Sequence, residues 1–202
     1  MEVGDRESRA ANAGWPSFLR GRAPEEVLPR LIEGDPLRLQ ERAALRLRQV
    51  WVLLDPDRVF RRALGVCAHA APLEDPPADL DTWVLAKLDL AIAQLVQADL
   101  QRERTDPDTL TDEEKDFPLL KQSLFVEPGR VRAVSVAFNA LEPLPRRAFF
   151  ELLVEGREVD DVIEAGPWDA DGLYRAIHQA LAPFGLDLPQ CADGPSRWKG
   201  RK

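Results

Sequence analysis

From Pro24 to Leu181 the apolar side chains return at three- and four-residue steps, and no stretch alternates apolar with polar residues at the period of a strand. A 3.6-residue period puts such residues on one face of a helix, and that face is buried only by packing helix on helix. The spacing therefore predicts an all-α protein. Hydrophobic residues make up 45% of the 202-residue chain, enough for one large core or two small ones.

The stripes divide the chain into two helical lobes. A first helix is expected over 24–34, where Pro24, Glu25 and Glu26 suit a first turn. A second is expected over 36–54, with Leu39, Ala43, Leu47, Val50, Trp51 and Leu54 as its apolar stripe. On the same helix Arg38, Arg42 and Arg46 repeat every fourth residue and form one basic stripe. A third covers 56–70 on Val59, Phe60, Ala63, Leu64 and Cys67. After a loop rich in Pro and Asp, Asp81 or Thr82 is expected to cap a fourth helix running to Arg104. Its core face would be Trp83, Leu88, Ala91, Ile92, Leu95 and Val96.

Between Thr105 and Pro118 the character changes: Asp106, Asp108, Asp112, Glu113, Glu114 and Asp116 face a single lysine, Lys115. Residues 105–128 are read as an acidic linker between a lobe over 24–104 and a lobe over 129–185. Three stripes follow: Val131, Val134, Ala137, Phe138 and Leu141; Phe149, Leu152 and Leu153; then Val159, Val162 and Ile163 leading to Leu173, Ile177 and Leu181. Residues 1–23 and 186–202 read as flexible tails, the second basic at its end.

Across the Gly166-Pro167 break, Val159, Val162 and Ile163 would bury against Leu173 and Ile177. Two helices and a tight turn result, with Asp169 capping the second. In order, Leu141, Pro143, Arg146-Arg147, Phe149, Val154-Glu155-Gly156, the pair Asp160-Asp161, Asp169 and Ala180-Leu181 run without a gap over 41 residues. On these residues the segment resembles region 4 of sigma-70-family factors, especially the extracytoplasmic-function type. The resemblance implies a helix-turn-helix whose last helix enters the major groove of promoter DNA. It assigns Arg146 and Arg147 to phosphates, and Tyr174, Arg175, His178 and Gln179 to the groove. By order and length, the N-terminal lobe is similar to sigma region 2, which implies docking on core RNA polymerase through Arg38, Arg42 and Arg46. An anti-sigma or other regulatory protein is a further implied partner.

Charge opens an alternative. Segment 141–181 holds four arginines against nine acids, and phosphate affinity comes mainly from cations. The alternative is a sigma-derived interaction module that has lost base-specific reading. The whole chain is acidic too, with 35 Asp and Glu against 27 Lys and Arg, which argues against indiscriminate nucleic-acid binding. Cys67 and Cys191 are far apart, which suits a reducing compartment, and Cys67-x-His69 falls short of a zinc ligand set. No phosphate loop, dinucleotide fingerprint or nucleophile–base spacing occurs, so neither an enzyme nor a cofactor is expected. No apolar run approaches the length of a bilayer span and no secretion signal is visible, so the expectation is a cytoplasmic protein.

Overall fold

The computed structural model describes residues 16–19, 23–74, 79–105, 126 and 130–186. Among these, every regular element is helical, as the apolar spacing predicts. Nearly all of the acidic linker over 105–128, the basic tail beyond Leu186 and the first fifteen residues lie outside the described residues. No described helix is long and apolar enough to cross a membrane.

The chain divides into two compact units, one of Met1–Gln49 with Leu54–Ala98, the other of Val50–Leu53 with Asp99–Lys202. The first unit holds α1 (Pro24–Ile32), α2 (Leu39–Gln49), α3 (Pro56–Ala70) and most of α4 (Leu80–Thr105). Helix α3 matches its expected bounds because two local signals fix its start: Pro56 fits the first turn, and the Asp55 carboxylate accepts the Asp57 N–H at 2.9 Å. It packs against both α1 and α2, burying Val59, Ala63, Leu64, Cys67 and Ala68. Phe60 is only half-buried. Burial pushes the Cys67 thiol up to about 12, so it stays protonated and inert at neutral pH.

Three expectations for this unit are corrected. Leu19, inside the segment read as a tail, lies in a short 3-10 helix (Ser17–Leu19) and is fully buried. The cap of α4 is Asp79, not Asp81 or Thr82: its carboxylate accepts from both of their N–H groups at 3.1 Å. Those bonds and one from the Thr82 hydroxyl hold the Asp79 carboxyl below the usual range. The helix expected over 36–54 ends at Gln49, and Trp51 adopts φ 54°, a left-handed conformation rare for a bulky residue. Val50 and Trp51 thus leave the stripe and, with Leu53, join the C-terminal unit, whereas Leu54 stays with the first.

The second unit holds α5 (Val131–Asn139), α6 (Pro143–Phe149), α7 (Val159–Ala165) and α8 (Ala170–Leu181). Its core joins Leu53, Val131, Val134, Phe138, Phe149, Phe150, Ile177, Ala180, Leu181 and Phe184. Phe138 is central, with ring centroids 4.9 Å from Phe149, 6.3 Å from Phe150 and 6.0 Å from Phe184. Helix α6 runs into a π-helical turn, Phe150–Val154, in which the Glu155 N–H reaches back to the Phe150 carbonyl at 2.9 Å. The wider turn lets Phe149, Phe150 and Glu151 all point inward. Leu153, expected on the buried stripe, is instead 48% exposed.

The 50–53 strap is stitched to α5. The Leu53 N–H donates to Asn139 Oδ1 at 2.9 Å, and the Leu53 carbonyl accepts from Asn139 Nδ2 at 2.8 Å and from Ser135 Oγ at 2.5 Å. The Asn139 side chain thereby meets both backbone groups of a buried residue, as a neighbouring strand would.

Candidate nucleic-acid interface

Helix α7 stops at Gly166, and Pro167, Trp168 and Asp169 turn the chain into α8. The stop follows from size. A Cβ at Gly166 would lie 2.3 Å from the Trp168 ring and 2.7 Å from the Val162 carbonyl oxygen, so only glycine lets the indole fold back over the turn. Trp168 then packs with Ala148, Val162, Leu173 and Ala176, while Val159 and Ile163 close the edge. The Asp169 carboxylate accepts the Gly172 N–H at 2.7 Å, satisfying an otherwise unpaired donor of the first turn. The Asp169 cap and the Val162–Leu173 packing are as the sequence predicts, but Ile177, expected in the same contact, lies instead in the core around Phe138. The turn's anchor, Trp168, is not among the expected core residues; its place between a Gly-Pro break and an Asp cap was the available signal.

Helix α8 has two faces. Leu173, Ala176, Ile177, Ala180 and Leu181 are buried, and α8 packs closely on α6. The opposite arc brings together all four residues expected to face a groove. Arg175 and Gln179 are exposed, and Tyr174 and His178 are half-buried with their rings 6.5 Å apart. Positions i, i+1, i+4 and i+5 span one side of a helix, so this grouping follows from the 3.6-residue period alone. Around it the surface is acidic: Glu155, Glu158, Asp160, Asp161, Glu164, Asp169 and Asp171 are all exposed.

The two expected phosphate contacts lie elsewhere and have internal partners. Arg147 sits between two indoles, its guanidinium carbon 5.5 Å from the Trp51 ring centre and 5.1 Å from that of Trp168. Its Nε donates to Glu151 Oε1 at 2.7 Å. Glu151, only 6% exposed, also pairs with Arg157 at 3.1 Å. Arg146 is half-buried and its Nη1 donates to the Trp51 carbonyl at 3.4 Å. Burial depresses the Arg146 pKa because the charged form loses hydration. The sequence signals Glu151 only as a glutamate four residues after Arg147, and Trp51 only as a member of an apolar stripe.

In the N-terminal unit the basic stripe is likewise paired within the chain. Arg38 lies one residue before α2, with φ 52°, and contacts Glu41. Arg42 pairs with Asp81 at 2.6 Å. Arg46 grips Asp89 through two hydrogen bonds of 2.6 and 2.7 Å, a fork geometry that raises the arginine pKa. These pairs lie on the surface of the unit. Arg38 remains exposed, and Arg42 and Arg46 are partly so. No protein-family model, curated protein or solved structure matches the chain.

Proposed function

We propose that the chain is a cytoplasmic, sigma-like transcription initiation protein. In this reading the N-terminal unit binds core RNA polymerase and α8 of the C-terminal unit reads promoter DNA. One observation carries the reading: Tyr174, Arg175, His178 and Gln179 share the outward arc of a helix whose inner face is packed and whose first turn is capped. A helix held in this way projects as a rigid reader. Arginine matches the O6 and N7 acceptors of guanine, and glutamine matches adenine. Replacing Arg175 with alanine changes no buried contact. It is expected to lower affinity for the selected promoter site by about tenfold, from a base contact of about 1–3 kcal/mol, with helicity unchanged. Titration of labelled promoter duplexes checks this, and equal affinity of the two proteins would remove Arg175 as a reader.

A second reading has its own support. The guanidinium groups of Arg42, Arg46, Arg146 and Arg147 have partners inside the chain, while α7 exposes Asp160, Asp161 and Glu164. That distribution favours a sigma-derived module that binds a regulatory protein and no longer reads bases. It predicts no salt-dependent affinity for any duplex, whereas the first reading predicts an affinity that falls as salt rises.

A further inference from the structure

We infer that Asp171 is a specificity-determining residue of α8, whose carboxylate selects a cytosine within about two base pairs of the guanine read by Arg175. The inference rests on the reading of α8 as a base reader. It adds to that reading an acidic side chain whose charge opposes DNA binding in general. Position, availability and chemistry carry it.

Asp171 occupies the centre of the outward arc. Measured around the axis from Asp171, Arg175 and Gln179 lie about 40° and 80° to one side, and His178 and Tyr174 about 20° and 60° to the other. Leu173, Ala176, Ile177 and Ala180 fill the opposite, buried side. Asp171, Arg175 and Gln179 are all exposed. At i, i+4 and i+8 they form one column with steps of about 6 Å along the axis, just under two base-pair rises of about 3.4 Å. The N-terminal residues of a reading helix are those that meet base edges, and Asp171 is the second residue of α8.

The side chain is available. Asp169 already caps the helix: its carboxylate accepts the Gly172 N–H at 2.7 Å, and its carbonyl accepts the Leu173 N–H at 2.9 Å. Among the described residues the side chains of Asp171, Arg175 and Gln179 have no hydrogen-bond or ion-pair partner. Asp171 and Arg175 stand four residues apart, a spacing suited to an ion pair, and still do not pair.

The chemistry selects one base. In the major groove cytosine offers its N4 amino donor, guanine and thymine offer only acceptors, and adenine sets an N7 acceptor beside its N6 donor. A carboxylate accepts from the cytosine amino group and is repelled by an edge of acceptors alone. Its charge also lowers affinity for any phosphate backbone. The same group thus disfavours wrong sites and leaves the right one bound.

The test uses the full chain, a pool of randomised DNA duplexes and replacements at this exposed position, with circular dichroism to verify helix content. The parent is expected to select sites that hold this cytosine beside the guanine, and to bind them about tenfold more tightly than sites with the cytosine replaced. Asparagine matches adenine, so Asp171→Asn should move this one position from cytosine to adenine and leave the others unchanged. Asp171→Ala should lose the preference there and raise affinity for all duplexes, because a negative charge near the phosphates is gone. Arg175→Ala, as the reference, should lose the guanine and keep the cytosine. A selected site without the cytosine overturns the assignment. So does a cytosine preference that survives Asp171→Asn, which would leave Asp171 only a partner of the helix dipole. Preferences lost at every position together would make Asp171 a structural residue and overturn it too. In these three cases α8 is still a base reader. A parent that selects no sequence at all removes base reading by α8, and this inference with it.

Discussion

Replacing Phe138 with alanine is expected to destabilise the C-terminal unit by about 3–5 kcal/mol, the range for truncating a buried phenylalanine. Phe138 is fully buried and in edge or tilted contact with Phe149, Phe150 and Phe184. Phe149 and Phe184 are themselves stacked at 5.3 Å with an interplanar angle of 7°. Three rings around one leave little freedom to collapse into the space, so the cavity term persists beside the lost transfer energy. Domains are stable by only about 5–15 kcal/mol, so the variant should be close to unfolding at room temperature. Urea unfolding followed by circular dichroism checks this. A loss below about 1 kcal/mol would mean that the four rings do not form the core described.

The second large effect is expected at Asp99. It is 3% exposed and pairs at 2.9 Å with Arg132, which is 8% exposed. Asp99→Ala leaves a guanidinium buried without its counter-charge, at a cost of about 3–5 kcal/mol. The pair itself contributes far less, because desolvating two ions offsets most of their attraction. The double replacement Asp99→Leu with Arg132→Met should therefore recover most of the loss. Urea midpoints for Asp99→Leu, Arg132→Met and the double variant form the cycle. Purely additive losses would contradict a direct buried pair.

Helices were the most legible part of the sequence, because proline, aspartate and apolar spacing act locally. Residues 56–70 form a helix with those bounds since Pro56, Asp55 and the stripe agree. The second helix was overextended for an equally physical reason. Val50, Trp51 and Leu54 continue its period, and periodicity reports that a residue is buried but not in which core. Leu53 is buried with α5 of the other unit because Asn139, 86 positions away, meets its backbone. The basic stripe was misleading in the same way. Spacing placed Arg42 and Arg46 on one face, yet their carboxylate partners, Asp81 and Asp89, lie 39 and 43 positions on. The α8 arc was legible because it depends on helical period alone. The fate of Arg146 and Arg147 was not, because it depends on Trp51 arriving from a distant part of the chain.

Co-elution of the full chain with core RNA polymerase, followed by run-off transcription from genomic fragments, tests the central claim most directly. A stable complex that initiates at defined start sites is expected, with output from those sites falling when Arg175 is alanine. Absence of the complex, or a complex that starts no transcript, would contradict it.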